Sequence, residues 1–291
     1  MSELLSVRHL PKLSLNRVIE GIEGVSTLPQ VALRVMEVAN DPESGAAELK
    51  KVMEGDAALS ARVLQCVNSS AYATRTKITN LQQAIAYLGT KQIRNLAITA
   101  SVSELFSVDE TIGTYRRIDL WRHLVSVGIC SRLIALRLRL NNFEDFFLAG
   151  LLHDIGIILE DQHVHDHFLA VIGSLDDRRT LAQVERDLLG FDHTMLGEKM
   201  AEFWNFPKTV TTAIRHHHMS AHYRGDDSEL VRCVEVANLI CSLKGITSVG
   251  MQLVRFSKPA MAALSLSKED MLILSADLDK EVAANQSLFQ V

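Results

Sequence analysis

The sequence predicts an all-α protein built as two helical lobes. Leu, Ala, Val and Ile recur at three- and four-residue spacing along almost all of the 291 residues, which is the period of an amphipathic helix. Prolines number only 5, and no low-complexity stretch interrupts the pattern. The polar segment SVDETIGTYRR at 107–117 separates two apolar-periodic blocks. We therefore expect a first lobe over residues 14–117, a second over 118–245 and a helical extension over 246–291.

The first lobe is predicted to contain five or six short helices. LPQVALRVMEVAN at 28–40 carries one apolar face, and the next helix has Asp41 and Ser44 as candidate N-caps. Asp56 is the candidate cap of the helix in DAALSARVLQCVNSSAY. NLQQAIAYLGTKQIRNLAI then breaks at Gly89 into two helices. Such short helices are stable only when their apolar faces pack together, so a bundle is expected.

The second helical set begins near Asp119. It continues through WRHLVSVGICSRLIALRLRL, FEDFFLAGLLHDIGIILED, FDHTMLGEKMAEFWNF, KTVTTAIRHHH and SELVRCVEVANLICSLKG. SKEDMLILSADLDKEVAANQSLFQ predicts a C-terminal helix that Ser267 caps, with Glu269 and Asp270 in its first turn, where the helix dipole favours negative charge.

Composition and sequence pattern argue against several classes of protein. The formal net charge of -5 and a pI near 6.1 argue against a general nucleic-acid binder, which needs a basic face. No apolar run reaches the ~18 residues of a membrane helix, and the first residues contain no signal-peptide core. The cysteines at 66, 130, 233 and 241 form no CxxC pair and are expected to be core residues in a reducing cytoplasm. We expect a cytoplasmic protein without nucleic acid or membrane partners.

A histidine and an aspartate stand together in the apolar stretch GLLHDIGIILED at 150–161. His153 and Asp154 should be buried there, and charged groups are seldom buried unless they are paired or bind a metal. Neighbours on a helix differ by ~100°, so both side chains could reach one ion at the helix edge. His123 lies on an apolar face with Val127, because the two are four residues apart.

Three further helical segments also turn metal-capable side chains inward. His193 follows a candidate cap, Asp192, and is in phase with Leu196, Met200 and Phe203. His217 and His218 continue the stripe of Val210 and Ile214, while His216 is rotated toward solvent. Asn238 lies on the apolar stripe of the last helix of the second lobe.

Each of these histidines taken alone is more often a hydrogen-bonded core residue than a ligand. As a set they are better explained by a metal centre, because imidazole and carboxylate groups from separate helices suit Fe, Zn or Mn. The candidate ligands are His123, His153, Asp154, His193, His217 and His218. The remaining histidines are expected in the N-terminal tail, on a solvated face or in a polar loop: His9, His163, His165, His167 and His222.

The order of these ligands resembles the HD-domain phosphohydrolases, above all the HD-GYP type. The segments LPQVALRVMEVANDP, GDAALSARVLQCVNSSAY, ITNLQQAIAYLGTKQIRNLAI and GFDHTMLG look like the HDOD family, the HD-related output domains of bacterial signalling proteins. The likeness covers roughly residues 20 to 245. It implies an N-terminal helical bundle, an HD-like bundle and a role in bacterial signal transduction.

The chain departs from the active HD pattern at three places. Asn238 stands where the resemblance implies a final aspartate ligand. Ile157 stands where HD-GYP proteins have a lysine after HDIG, and the GYP signature is absent. Metal-assisted hydrolysis needs a tightly held ion and neutralised phosphate charge, so these changes indicate a vestigial site.

Three functions remain open. The first is a non-catalytic signalling or scaffold module that binds signalling proteins, and the second is a metal-dependent phosphohydrolase acting on a nucleotide or cyclic dinucleotide. The third is a sensor that binds a nucleotide or another small molecule between the lobes without turnover. Lys91, Arg94 and Asn68 are candidate partner-binding residues, taken as exposed polar groups beside an apolar stripe. Ordinary packing with a solvated face is the alternative for that segment.

Overall fold

A computed structural model describes residues 10–23, 28–41, 43–72, 74–254 and 258–291 of the chain. The part before the predicted boundary contains α1 (Leu15–Glu23), α2 (Gln30–Asn40), α3 (Ala46–Glu54), α4 (Ala57–Val67), α5 (Leu81–Leu88) and α6 (Thr90–Val102). The second block contains α7 (Arg117–Arg137), α8 (Phe143–Leu152), α9 (Ile155–His163), α10 (His165–Gly173), α11 (Leu181–Leu188), α12 (His193–Phe203), α13 (Lys208–His216) and α14 (Ser228–Leu243). The extension contains α15 (Lys258–Ala263) and α16 (Lys268–Ala284).

The predicted boundary contains a small hairpin. Strands β1 (Thr111–Ile112) and β2 (Tyr115–Arg116) pair antiparallel, and Gly113 between them has φ +58°. They form the one sheet in the described part of the chain, and it has two strands. The all-α fold class is therefore confirmed, and α7 begins directly after the hairpin.

In the first lobe, α2 and α4 pack against α6, whose residues from Ile93 to Val102 are all buried. Asp56 caps α4 as expected, because its side chain accepts a hydrogen bond from the Leu59 amide at 2.9 Å. Asp41 and Ser44 do not cap α3. They bond to each other at 2.8 Å, and α3 starts from Gly45, whose amide donates to Glu48 at 2.7 Å.

The first helix packs on helices that follow the predicted boundary. Helix α1 contacts α9 and α12, and the Leu13 amide before it donates to the Leu189 carbonyl at 2.9 Å. The sequence-based division assigned these residues to the first lobe. Periodicity shows that a segment is helical, but it does not show which partner covers the apolar face.

The two helical blocks meet at a polar junction between α6 and α8. Arg94 is only 3% exposed and donates to Asp145 at 3.0 Å, while Lys91 contacts the other oxygen of the same carboxylate at 2.8 Å. The expectation that Arg94 is exposed was therefore wrong. Its neighbour Asn95 donates to the Glu144 side chain at 2.8 Å, so this stretch of α6 holds the two blocks together.

Asn68 is half-buried and stabilises a loop. Its side-chain nitrogen donates to the Leu64 and Ile78 carbonyls at 2.7 and 2.8 Å, and its oxygen accepts from the Ile78 amide at 2.8 Å. All donors and the acceptor oxygen of this amide are engaged within the chain, so its local role is structural.

Helix α7 is the central element of the second block, and α8, α14 and α16 pack around it. Helices α7 and α8 approach closely at Gly150, where an added Cβ would lie 2.7 Å from the Val127 carbonyl oxygen. Ser267 caps α16 as expected. The short helical turn Gln286–Phe289 after α16 reaches back to α4 and α6 in the first lobe.

Two general expectations concern burial and membranes. The four cysteines are free and buried in the core, as predicted. Among the described residues, no helix combines the length and the apolar character that crossing a bilayer requires.

Candidate metal centre

His153 and Asp154 lie in the turn between α8 and α9, and both are fully buried. The expectation that they share one continuous helix was wrong. Helix α8 ends at Leu152, and Asp154, with φ -106° and ψ 20°, leaves the helical conformation before α9 begins at Ile155. This break changes the direction of the chain where the two side chains enter the core.

Four histidines surround the carboxylate of Asp154. Its Oδ2 lies 3.1 Å from His153 Nε2 and 3.8 Å from His123 Nε2. Its Oδ1 lies 3.0 Å from His217 Nε2 and 3.3 Å from His193 Nε2. All four imidazoles are fully buried, so α7, the α8–α9 turn, α12 and the end of α13 meet at one point.

The other two predicted positions extend this cluster. His218 is half-buried, and its Nε2 lies 3.0 Å from His193 Nε2. Asn238 on α14 is 1% exposed, and its side-chain nitrogen lies 3.1 Å from His153 Nε2. The potential ligand atoms form two groups that share Asp154, and within each group they lie no more than 4.8 Å apart. The groups are His123, His153, Asp154 and Asp154, His193, His217, His218.

The outer nitrogen of each buried imidazole is anchored, and this sets the state of the inner one. Nδ1 lies 2.7 Å from the Ile246 carbonyl in His123, 2.8 Å from the Gly150 carbonyl in His153 and 3.0 Å from the Ile214 carbonyl in His217. A carbonyl only accepts hydrogen bonds, so Nδ1 carries the proton and Nε2 of a neutral ring presents a lone pair to the centre. This is the tautomer that a metal ligand requires.

The cluster therefore fits a cation. Nε2 of His123 and of His217 and both oxygens of Asp154 are buried without a hydrogen-bond partner among the described residues. Lone pairs of nitrogen and oxygen that face one another across 3.0–3.8 Å repel unless a positive charge lies between them. Ligands at right angles, each about 2.1 Å from one ion, lie about 3.0 Å apart, which is the spacing found here.

Charges around the cluster follow from burial and from neighbouring groups. Burial and the adjacent His153 lower the pKa of His123 to about 4, which keeps this ring neutral. Burial alone would raise the pKa of Asp154, but the surrounding histidines outweigh it and hold the pKa well below its usual range. Burial would lower the pKa of His193, but the Glu185 and Asp154 carboxylates hold it well above its usual range. These two carboxylates therefore favour the protonated form of His193.

His193 reaches the centre because α12 starts very close to α9. Asp192 caps α12 as predicted, with its oxygen 3.1 Å from the Met195 amide. Gly156 in α9 makes the approach possible, since a Cβ there would lie 2.0 Å from the His193 carbonyl oxygen. The predicted stripe of α12 is correct for Leu196 and Met200, which are buried, but wrong for Phe203, which is 49% exposed.

Gly156→Ala is expected to destabilise the protein by about 3 kcal/mol, because a methyl group at this point must displace the backbone of α12. The displacement also moves His193 away from Asp154. Denaturant unfolding measures the change in free energy. Gly21→Ala in α1 is the matched control, since nothing lies within 4 Å of its Cβ position, and it should add about 0.5–1 kcal/mol of stability. Equal stability of the two variants would contradict the close-approach explanation.

Two acidic residues near the cluster were not predicted. Glu185 is fully buried on α11, and its Oε2 lies 2.7 Å from His193 Nδ1 and 3.0 Å from the His193 amide nitrogen. It orients the ring and makes it a stronger ligand. Glu235 on α14 lines a cavity of about 10 Å³ together with His217, His218 and Asn238. The available signal for Glu185 was its position four residues after Leu181 on the apolar face of α11.

The remaining histidines lie apart from this centre. His222 is exposed as expected, while His163, His165 and His167 are half-buried, and His9 lies outside the described residues. His165 belongs to a further acidic group with Glu110 and Asp161. Arg117 contacts both oxygens of Asp161 at 2.6 and 3.0 Å, and this bidentate pair already neutralises the carboxylate.

Each of the three departures from the active HD pattern can be located in the structure. Asn238 is part of the buried ligand cluster and brings a neutral amide to it. Ile157 is fully buried and supplies no cation. The segment after His218 forms a short helical turn, Ser220–His222, whose first amide donates to Glu235 at 3.1 Å.

Comparison with known proteins identifies similar chains. The HDOD domain family model matches residues 25–220. The structure aligns with an HDOD domain protein of unknown function from Geobacter sulfurreducens at a TM-score of 0.76 and 26% identity, over 95% of this chain and 98% of that one. A Shewanella amazonensis protein provisionally named a phosphohydrolase shares the fold at a TM-score of 0.73 and 21% identity, over 94% and 96% of the two chains.

A curated relative is longer than this chain. An uncharacterized protein from Treponema pallidum is 22% identical over 230 residues. The match covers 76% of this chain but only 43% of that protein.

Proposed function

Because the chain belongs to the HDOD domain family, we propose that it is a non-catalytic bacterial signal-transduction module that acts by binding signalling proteins and keeps a vestigial HD metal site. The observation that carries the proposal is the position of Asn238. Its amide lies 3.1 Å from His153 Nε2 inside the ligand cluster, at the place where the resemblance to HD enzymes implies an aspartate. The fold and the histidine cluster are therefore kept, while a charge that hydrolysis needs is missing.

The cofactor that we propose for this site is a divalent ion, with full, partial or no occupancy left to the elemental analysis below, and Fe, Mn and Zn all suit its donor atoms. His123, His153 and Asp154 would hold it first, and His193, His217 and His218 would complete or extend the shell. Such an ion supplies Lewis acidity and positive charge at the centre. The chain's own contribution is the fixed orientation of the imidazoles and the exclusion of solvent from the fully buried ligands.

Two features oppose turnover. The amide of Asn238 carries no negative charge. The protein therefore attracts a cation less strongly than it would with an aspartate at this position. Ile157 is fully buried and offers no group to neutralise phosphate charge in a transition state. A structural ion tolerates both changes, whereas hydrolysis requires a strongly bound ion and charge neutralisation together.

We expect no turnover of cyclic dinucleotides or (p)ppGpp by the purified chain supplied with Mn²⁺ or Fe²⁺. Product formation is measured by chromatography, and elemental analysis of the same samples determines whether the site is occupied. His153→Ala, which removes a ligand of the cluster, serves as the background control. Hydrolysis by the unmodified chain that disappears in this variant would overturn the proposal.

A metal-dependent phosphohydrolase acting on a nucleotide or cyclic dinucleotide is the second candidate. It is supported by the number of retained ligands and by the grouping of two ligand sets around Asp154. The same turnover assay separates the two functions, because only a hydrolase would produce a metal-dependent and His153-dependent product.

We propose that signalling proteins bind to the surface of α6 around Lys91, next to the polar junction with α8. Lys91 is 48% exposed and suits this role, whereas Arg94 is buried and already bonded to Asp145 and Asn95. Asn68 is engaged in its loop. Charge reversal at Lys91 is the less disruptive variant in a partner-capture experiment, because Lys91 is 48% exposed although it also contacts Asp145, whereas reversal at the buried Arg94 would break the junction.

A further inference from the structure

A cavity of about 190 Å³ opens beside the candidate metal centre, between α11, α12 and α13. The residues that line it include Arg186, Arg215, Thr180 and Thr194. His218 also lines it, and His218 Nε2 lies 3.0 Å from His193 Nε2 in the metal cluster. The cavity and the cluster therefore share a wall.

The two arginines are held in place by their neighbours. Arg186 pairs with Asp192, whose other oxygen lies 2.6 Å from the Thr194 hydroxyl. Arg215 donates to the Thr194 hydroxyl at 3.0 Å and pairs with Glu198 at 3.2 Å. A guanidinium has five N–H donors, so these contacts fix both groups and still leave donors for a ligand.

Both arginines are reachable from solvent. The side chain of Arg186 is 46% exposed and that of Arg215 is 27% exposed, whereas Asp192 between them is 1% exposed. Asp192 also lines the cavity, but its side chain is almost completely covered, so the two arginines are more accessible than this carboxylate to a ligand that enters the cavity. Partial exposure together with a fixed orientation is what a binding cation needs.

We propose that this cavity binds the phosphate group of a small ligand, between Arg186 and Arg215 and next to His218. Guanidinium groups match phosphate geometry with paired hydrogen bonds, and the Thr180 hydroxyl adds a neutral donor, whereas the Thr194 hydroxyl already donates to Asp192. Arg186 and Arg215 are each paired with a carboxylate, Asp192 and Glu198, so the remaining N–H donors of the two guanidinium groups, rather than a net positive charge, would bind the phosphate oxygens. The arginines supply the cationic contact that Ile157 does not.

The size of the cavity limits the part of the ligand that it holds. Pockets that enclose a whole drug-sized ligand measure about 300–1,000 Å³. A cavity of about 190 Å³ holds a phosphate with an adjacent sugar, and the rest of a larger molecule would extend into solvent. The inference rests on the proposed function, since it treats the site as one that binds without turnover.

Calorimetric titration of the full chain tests the inference with three probes: inorganic phosphate, a nucleoside 5′-monophosphate and a cyclic dinucleotide. Arg186→Ala and Arg215→Ala should each weaken binding about tenfold or more, because each removes a charged hydrogen-bond partner. Arg122→Ala is the matched control, since this arginine is 61% exposed on α7 and lies outside the cavity wall. It should bind like the natural chain. Tighter binding of a nucleotide than of inorganic phosphate would support a nucleotide as the source of the phosphate.

Equal affinities in the natural chain and in both arginine variants would overturn the inference, as would failure of the natural chain to bind all three probes. Circular dichroism checks that the variants fold, and Arg186→Gln replaces Arg186→Ala if the alanine variant unfolds. The titrations are run with Mn²⁺ and with a chelator. Arginine-dependent phosphate binding by a chain that takes up no Mn²⁺ would contradict the metal proposal alone and leave this inference in place.

Discussion

Asp154→Asn is expected to abolish the binding of Mn²⁺ by the purified protein. Asp154 is the one residue shared by both ligand groups, and its two oxygens face four imidazoles at 3.0–3.8 Å. Removal of a group that merely supports a ligand typically lowers metal affinity 10–100-fold, so loss of the shared carboxylate should cost more than about 100-fold. Bound Mn²⁺ per chain is measured after desalting.

Thermal unfolding gives a second measure of the same change. An ion at 100 times its dissociation constant stabilises a protein by about 2.7 kcal/mol, so Mn²⁺ should raise the melting temperature of the natural chain and leave that of Asp154→Asn unchanged. Glu160→Gln is the control for a buried acid. Burial and the neighbouring Glu185 carboxylate raise the pKa of Glu160 well above its usual range, which favours the neutral acid, so an uncharged amide is a close replacement. Full Mn²⁺ binding by Asp154→Asn would remove the metal centre from consideration.

Asn238→Asp is expected to change stability in opposite directions with and without metal. In the presence of a chelator the new carboxylate is buried at a position that is 1% exposed, and we expect a loss of about 1–3 kcal/mol. With Mn²⁺ the same charge attracts the ion. Two unit charges 4 Å apart attract by about 4 kcal/mol at an effective dielectric constant of 20, so affinity should rise at least about tenfold. Calorimetry with chelator and with Mn²⁺ measures both effects.

Asn285→Asp provides the comparison for this experiment. Asn285 is 2% exposed at the end of α16, where its amide bonds to Glu281. A carboxylate there should lower stability equally with chelator and with Mn²⁺. If Asn238→Asp behaves in the same way, the position is not part of a metal shell. Adding Ile157→Lys would not sharpen the test, because Ile157 is fully buried and a lysine there would itself destabilise the core.

Helical phase was enough to predict most of the cluster. His123, His193 and His217 lie on the same faces as buried apolar residues, and the structure brings them together. The prediction works because the helical period fixes which side chains share a face, and a buried face has only the interior to turn toward. The positions of the outer hydrogen-bond partners could not be predicted, because backbone carbonyls carry no sequence signal.

Other features depend on tertiary contacts that periodicity does not contain. Arg94 was expected on the surface, but its partner Asp145 lies on a helix 51 residues further along the chain. The break at Asp154 was missed because the apolar pattern continues across it. The packing of α1 on the second lobe was missed for the same reason, since the pattern does not identify the partner of a face. The lobe limits thus stay a proposal, while the helical class is established.

The end of α16 has a consequence for the order in which the chain folds. Ser70 bonds to the Ala284 carbonyl, and Gln65 bonds to Gln290, across sequence separations of 214 and 225 residues. During synthesis at about 5–20 residues per second, the first lobe must wait roughly 10–45 s for these partners. Contacts of such high separation also slow the final docking step. We therefore expect the face of α4 to stay uncovered on the ribosome until residues near 290 have emerged.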